Sequence, residues 1–168
     1  MKKTISLLLM FVISLSIFAQ DGIGDGIRSF KMMATVIDTT KEEPYVDIVH
    51  IDCTDEVITF YSKILKWEYA LPLNLNPRLK YRHETTEEYE YWAVMDDDMC
   101  ESVGWYVMND GDYALNIASG EENGKVRLKS FTPIDMFQVH PKTREVIKEL
   151  SIKEFSDYII RYMKQLEK

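Results

Sequence analysis

His50 and Asp52 are the residues whose types and spacing come nearest to general acid–base chemistry in this sequence. Residues two apart on a β-strand lie on the same face of a sheet, so the imidazole and the carboxylate would be neighbours. A histidine placed in this way can exchange protons near neutral pH. No serine stands in a G-x-S-x-G turn, however, and neither cysteine has an evident base beside it, so no catalytic residue is predicted.

No metal or cofactor site is predicted either. Residues 83–87 have the sequence His-Glu-Thr-Thr-Glu, in which a glutamate replaces the second histidine of the metalloprotease motif H-E-x-x-H. Only His50 has a cysteine or another histidine three to five residues away, namely Cys53. One such pair supplies two ligands, whereas a zinc site needs three or four, so the spacing predicts no zinc site. The acidic residues 96–98 and Glu101 lack the spacing of a calcium-binding loop, and we interpret them as a solvated turn.

Large aromatic side chains are frequent, with three tryptophans and ten tyrosines. Aromatic pairs across neighbouring strands stabilise sheets, which is one interpretation. The other is a cavity or patch that contacts a small apolar ligand, a glycan or a protein partner. Adjacent residues face opposite sides of a strand, so both faces of the sheet would carry large rings. The predicted ligand-binding residues are Trp67, Tyr91, Trp92, Trp105 and Tyr106.

The strands that would position these side chains lie between residues 27 and 131, where β-branched and aromatic residues form short runs between turn residues. Asn-Asp-Gly at 109–111 and Asn-Gly at 123–124 predict tight hairpin turns, and short connections predict antiparallel neighbours. Residues 72–87 are expected to form a long loop, or a loop with a short strand at 79–82. Eight runs are predicted as strands: 28–38, 45–53, 57–64, 66–71, 88–95, 102–108, 112–118 and 125–131.

Helices are predicted after residue 131. The residues Thr132, Pro133 and Asp135 are typical of a helix start, and Pro141 could begin a second short helix. The strongest signal is an amphipathic helix over 151–166, whose start carries the Ser-x-x-Glu capping box at Ser151. Its apolar stripe has the helical spacing i, i+3, i+4, i+7, i+8 and i+11, formed by Phe155, Tyr158, Ile159, Tyr162, Met163 and Leu166.

These elements predict an α+β fold, in which an antiparallel β meander of about seven or eight strands is packed by the C-terminal amphipathic helix. A helix of this length is marginal alone in water, so its apolar stripe must dock on the sheet. The sheet is expected to curl into a barrel-like shape or to stay open beneath the helix. The curled form resembles small ligand-carrying barrels such as lipocalins in architecture alone.

The N-terminus has the pattern of a secretory signal peptide. Two lysines precede an apolar stretch that ends at Ala19, which predicts a signal peptide over residues 1–19. An uncleaved anchor is the alternative. The glycine-rich residues 20–26 are interpreted as a flexible lead-in, and residues 27–168 as a single α+β domain. The predicted location is therefore exported, either periplasmic or extracellular, with no stable membrane insertion after cleavage of the signal.

Cysteine content and charge limit the possible partners. An even pair of cysteines in an oxidising compartment predicts a disulfide between Cys53 and Cys100, with two separate buried thiols as the alternative. The formal net charge is −8, and loss of Lys2 and Lys3 with the signal peptide would make it −10. Nucleic acid is not an expected partner, because phosphate binding requires clustered lysines and arginines.

The sequence as a whole predicts an exported protein of the bacterial envelope or exterior that binds something and catalyses nothing. The ligand is left open between a small apolar molecule, a glycan and a protein. One alternative is a small envelope hydrolase with an unrecognised site, for example around His50 and Asp52. The other is a structural or assembly subunit that uses an edge strand or the terminal helix.

Overall fold

A computed structural model describes residues 27–73, 76–165 and 167 of the chain. The predicted signal peptide and lead-in, and Leu166 of the predicted helix stripe, lie outside the described residues. The elements in chain order are β1 Arg28–Asp38, β2 Tyr45–Cys53, β3 Val57–Ser62, β4 Trp67–Pro72, β5 Lys80–Thr85, β6 Tyr89–Asp96, β7 Glu101–Met108, β8 Tyr113–Glu122, β9 Lys125–Val139, β10 Val146–Leu150 and α1 Ile152–Lys164.

The strands form one antiparallel sheet that is curled into a half-barrel, which confirms the predicted α+β fold class. The strand order is β4-β3-β2-β1-β9-β8-β7-β6-β5, and β10 pairs with β9. Strand β9 is 15 residues long and pairs with β1 along most of its length. Its first part also pairs with β8, and its last part with β10. The curl brings β4 near β7.

The hydrophobic core lies on the concave face of the half-barrel. Along β1 the side chains of Phe30, Met32 and Val36 point inward and are at most 3% exposed. The alternation expected of a half-buried strand recurs on β7, where Val103 and Trp105 are buried. We name the two ends of the half-barrel after the first and last residues of β1, the Arg28 end and the Asp38 end.

Helix α1 packs on the concave face toward the Arg28 end. Its predicted capping box is present, since the Ser151 side chain accepts a hydrogen bond from the backbone N–H of Glu154 and the Glu154 side chain accepts one from that of Ser151. The Phe155 ring lies 5.0 Å from Phe30 and 5.3 Å from Trp105, both in edge-to-face geometry. Aromatic pairs in this geometry stabilise beyond their burial, so the helix is held by ring contacts as well as by its apolar stripe.

The helix is 13 residues long. Within residues 27–73, 76–165 and 167, no helix combines the length and apolar character needed to cross a bilayer.

The Tyr162 hydroxyl donates a 2.7 Å hydrogen bond to the Thr54 carbonyl, which fixes the last turns of α1 to the β2–β3 turn. The helix therefore covers one end of the concave face and leaves the Asp38 end to the strands.

The prediction of a helix start at Thr132 is wrong, because β9 continues to Val139. Pro133 lies opposite Ala34, where the register of β1 and β9 shifts at a bulge. The pairing of β9 with β8 has ended before this point, and its pairing with β10 begins only at Met136. A proline is tolerated in such a gap because its missing N–H removes no ladder hydrogen bond.

Two further segments differ from the prediction. The second short helix, expected from Pro141, is absent from the described chain, since residues 140–145 form a turn and Val146–Leu150 pair with β9 as β10. The segment Lys80–Thr85 is a full edge strand beside β6, whereas the sequence predicted either a long loop or a loop with a short strand at 79–82. The described residues consequently form a sheet of ten strands, where about seven or eight were predicted.

The predicted disulfide between Cys53 and Cys100 is also wrong, since both cysteines are free in the described chain. Cys53 pairs with Arg28 at one end of the half-barrel, and β1, β9 and β8 separate its strand from β7. Cys100 lies in the β6–β7 turn at the Asp38 end. A disulfide requires Cα atoms within about 7 Å, and the strand order and register place these two at opposite ends of different strands.

Intact protein is therefore expected to keep the same mass when it is treated with a reductant. Under native conditions iodoacetamide should modify Cys100 well before Cys53, because Cys53 is 1% exposed and burial raises the pKa of its thiol to about 12. Mass spectrometry with and without denaturant measures both expectations. A mass gain of two hydrogens on reduction would contradict the free-thiol arrangement.

Candidate functional site

The concave face holds a pocket of about 250 Å³ at the Asp38 end, between β4 on one side and β8 and β9 on the other. We call it the Trp67 pocket. Trp67 and Tyr69 form an aromatic wall, because both point inward from β4. The residues that define its polar side are Asp38, Ser119, Arg127 and Lys129.

The Trp67 ring is held in place by a buried carboxylate. Its Nε1–H donates a 3.0 Å hydrogen bond to Asp47, which is 2% exposed. The second Asp47 oxygen accepts a 2.7 Å bond from the Ser62 hydroxyl. A buried carboxylate is stable only when its oxygens are hydrogen-bonded, so Asp47 fixes the orientation of the Trp67 ring against the pocket.

Asp38 is a second buried carboxylate, 4% exposed, at the edge of the same pocket. Its oxygens accept bonds from the Thr40 backbone N–H at 2.9 Å, the Thr40 hydroxyl at 2.7 Å and the Lys129 ammonium. Burial acts to raise the pKa of Asp38, but the bonds from Lys129 and Thr40 outweigh it and hold the pKa at about 2. Asp38 is therefore ionised and paired at neutral pH.

The charges around the Trp67 pocket balance. Asp38 and Glu68 carry negative charge, while Arg127 and Lys129 carry positive charge. The Tyr45 hydroxyl donates to Asp38 at 3.2 Å, and burial together with that carboxylate raises the pKa of Tyr45 to about 12. With Asp38 ionised and held by fixed bonds, the pocket offers an aromatic wall and fixed polar edges.

The five predicted ligand-binding residues lie in different places. Trp67 lines the pocket just described. Trp105 is fully buried beneath α1, and its Nε1–H donates a 2.8 Å bond to the Ser156 hydroxyl. Trp92 is 6% exposed and stacks on the His83 ring at 3.6 Å, with the Lys164 ammonium 4.2 Å from its ring centre.

The register of β6 and β7 places Trp92 opposite Trp105. It also pairs Tyr91 with Tyr106, whose rings are in contact. They lie on the convex face, where their rings stack at 4.2 Å. The Tyr91 ring covers Gly104, and a Cβ atom at position 104 would lie 2.4 Å from it. A side chain at position 104 would therefore have to displace the Tyr91 ring, which approaches the backbone directly. The predicted set is thus divided among a pocket wall, the core under the helix and the convex face.

His50 and Asp52 share the convex face, as predicted, but their partners are structural. Asp52 accepts bonds of 2.6 and 2.8 Å from the Arg144 guanidinium and one of 2.5 Å from the Ser29 hydroxyl. His50 is 8% exposed and stacks on Tyr61. Burial and the nearby Arg144 charge lower the pKa of His50, which favours its neutral form. The ion pair ties the β9–β10 turn to β2, and Ser29 donates to the acid instead of to the histidine.

The acidic residues of the β6–β7 turn also have a structural role. The side chain of Asp96 is 1% exposed and accepts bonds from Asn76 Nδ2 at 2.7 Å and from the backbone N–H groups of Asp98 and Met99. The bond from Asn76 is the largest cause of a lowered pKa at Asp96. In the part of the chain that is described, no group of three or more His, Cys, Asp or Glu could hold a metal ion.

Asp38, Asp47 and Lys129 were not identified from the sequence, although a signal for them exists. On β1, Asp38 lies two residues after the inward-facing Val36, and on β2, Asp47 lies two residues before the inward-facing Val49. Both acids therefore point inward. A charged residue at an inward-facing position of a strand must be paired, because an isolated buried charge is strongly unfavourable. Such residues mark a polar site within a core.

No protein-family model matches this chain, and no curated protein matches its sequence. The Trp67 pocket combines a cavity, an aromatic wall and fixed polar groups.

Proposed function

We propose that this chain is an exported, non-enzymatic binding protein of the bacterial envelope or exterior, and that it binds a small uncharged planar molecule in the Trp67 pocket. The observation that carries the proposal is the pairing of the Trp67 and Tyr69 wall with the Asp38–Lys129 ion pair in one cavity. Ligand pockets characteristically combine apolar walls with a few fixed polar groups.

The size and charge of the pocket support this class of ligand. A volume of about 250 Å³ lies just below the range of roughly 300–1,000 Å³ that drug-sized ligands occupy, so the ligand is small. The lining charges balance, so neither an anion nor a cation gains a net attraction. A planar ring can pack on Trp67, while a hydroxyl or N–H group on its edge reaches Ser119 or the ion pair.

The remaining parts of the proposal come from the sequence and from the roles found for the polar residues. The exported location is supported by the signal-peptide pattern of residues 1–19. The absence of chemistry is supported by the fixed hydrogen bonds of Asp38 and Asp52, which leave neither carboxylate free to act as a base.

The test measures the binding of a small planar probe to the wild type and to a variant in which a large side chain fills the pocket. Indole is titrated into isotope-labelled protein, and the Trp67 Nε1–H resonance is followed by NMR. We expect a saturable shift that Ser119→Trp abolishes, because Ser119 lines the pocket. Ser130→Trp is the matched control, since Ser130 lies opposite Ile37, which points to the convex face, and should leave the shift unchanged.

Native mass spectrometry of the protein from its own host complements the titration, because it detects any ligand that copurifies. A small uncharged adduct that Ser119→Trp removes would support the proposal. Equal indole shifts in both variants, or no saturable shift together with no adduct, would overturn it.

A further inference from the structure

We propose a second binding site at the Arg28 end, in which two guanidinium groups receive the carboxylate of a small aromatic acid. The site is a cleft of about 440 Å³ between the β2–β3 turn and the last turns of α1. We call it the arginine cleft. Its lining includes Arg28, Cys53, Asp55, Tyr158, Arg161 and Tyr162.

The two arginines differ from the others in their partners. Within the described residues, neither Arg28 nor Arg161 forms an ion pair with a carboxylate. The Arg28 guanidinium lies over the Tyr158 ring at 5.3 Å, and Arg161 Nε donates to the Asp157 carbonyl at 3.1 Å. Each remaining arginine pairs with an acid, as seen for Arg78, Arg82, Arg127 and Arg144.

This distribution is informative because the protein is acidic, with a formal net charge of −8. Among the described residues, the two arginines without a carboxylate partner line the same cleft. Their planar donor groups match the geometry of a carboxylate, which can accept two parallel hydrogen bonds from each. The single acid in the lining, Asp55, leaves the cleft with a net positive charge.

Aromatic rings supply a surface for the body of the ligand. Tyr158 and Tyr162 stack at 6.2 Å with an angle of 21° between their rings. The Tyr162 hydroxyl is already committed to Thr54, so the ring and not the hydroxyl is offered to the cleft. A flat acid such as benzoate can place its carboxylate between the guanidiniums and its ring on these tyrosines.

The cleft binds without chemistry. Its one thiol, Cys53, is 1% exposed, and burial keeps it protonated and unreactive at neutral pH. A purely structural role for Arg161 is the rival explanation, because a cation in the last turn of α1 offsets the negative end of the helix dipole. That role predicts an effect on stability and none on anion binding, so the two explanations can be separated.

The experiment titrates sodium benzoate into the full chain at low ionic strength and follows backbone resonances of residues 53–55 and 158–162 by NMR. We expect saturable binding to wild type and a loss of affinity of at least about tenfold in the Arg28→Gln/Arg161→Gln variant. Arg82→Gln is the matched control, because Arg82 pairs with Glu84 on the edge strand β5 and should leave benzoate affinity unchanged.

Benzyl alcohol tests whether the charge of the ligand is required, and inorganic phosphate tests whether the anionic head is sufficient. Benzyl alcohol is expected not to bind, and phosphate to bind more weakly than benzoate at the same resonances. Equal benzoate affinity in wild type and the double variant, with both folded by thermal unfolding, would overturn the proposal. So would tight binding of benzyl alcohol. Indole binding in the Trp67 pocket at the other end is measured separately, so the two proposals succeed or fail independently.

Discussion

Phe155→Ala is expected to lower the free energy of unfolding by about 3–5 kcal/mol, since a buried phenylalanine is lost together with the contacts that close around it. Phe155 is fully buried and lies between Phe30 of β1 and Trp105 of β7. Its removal leaves a cavity where α1 meets the concave face. The loss should be large because those rings are themselves held by neighbours and cannot collapse into the space.

Urea denaturation followed by tryptophan fluorescence measures this change. Lys153→Ala is the matched control on the same helix, because Lys153 is exposed and its ion pair with Asp157 lies in solvent. We expect little change in that variant. A similar small effect for both substitutions would show that α1 is not anchored through Phe155.

Lys129→Met is expected to lower the free energy of unfolding at pH 7 by about 3–5 kcal/mol, because it leaves the buried Asp38 carboxylate without its cation. Asp38 is 4% exposed and the Lys129 side chain is its ion-pair partner. The bonds from Thr40 and Tyr45 remain, but they do not replace a full positive charge. The variant must either bury an uncompensated charge or take up a proton.

The effect should depend on pH in a defined direction. The folded pKa of Asp38, about 2, is below its ordinary value of 3.8, so the stabilisation by this group is complete above the ordinary value and disappears as pH falls toward 2. Without Lys129 the folded pKa rises, and Asp38 becomes protonated at mildly acidic pH. The difference between wild type and Lys129→Met should therefore be smaller at pH 3 than at pH 7.

Chemical denaturation at the two pH values measures this difference. Lys80→Met is the matched control, since Lys80 pairs with Asp97 in solvent and its loss should have little effect at either pH. A destabilisation by Lys129→Met that is the same at pH 3 and pH 7 would contradict the assignment of a buried ion pair.

Local signals predicted most elements because they agree with the tertiary structure. The capping box at Ser151 and the apolar stripe placed α1 correctly, and runs of β-branched and aromatic residues between turn residues located the starts of β1–β4 and β6–β9. The failure came after Phe131, where Thr132 and Pro133 satisfy the rules for a helix start. Pairing with β1 overrides this preference, and only knowledge of the partner strand reveals it.

The candidate site was less predictable than the fold. Ring size identified Trp67, but it could not separate a pocket wall from Trp105 in the core, because that distinction depends on where α1 docks. The prediction of a disulfide was wrong for a related reason. The number of cysteines says nothing about strand order, and the order places Cys53 and Cys100 at opposite ends of the half-barrel.

The pairing of β1 with β9 has a consequence for the kinetics of folding. The register joins Ser29 to Val139, so the central ladder closes only after nearly all of the described chain is available. Contacts between residues so distant in sequence slow folding, and sheets dominated by them fold in milliseconds to seconds. Until β9 is available, the edge of β1 that β9 covers is unpaired and open to pairing with other chains, so aggregation competes with folding at this stage.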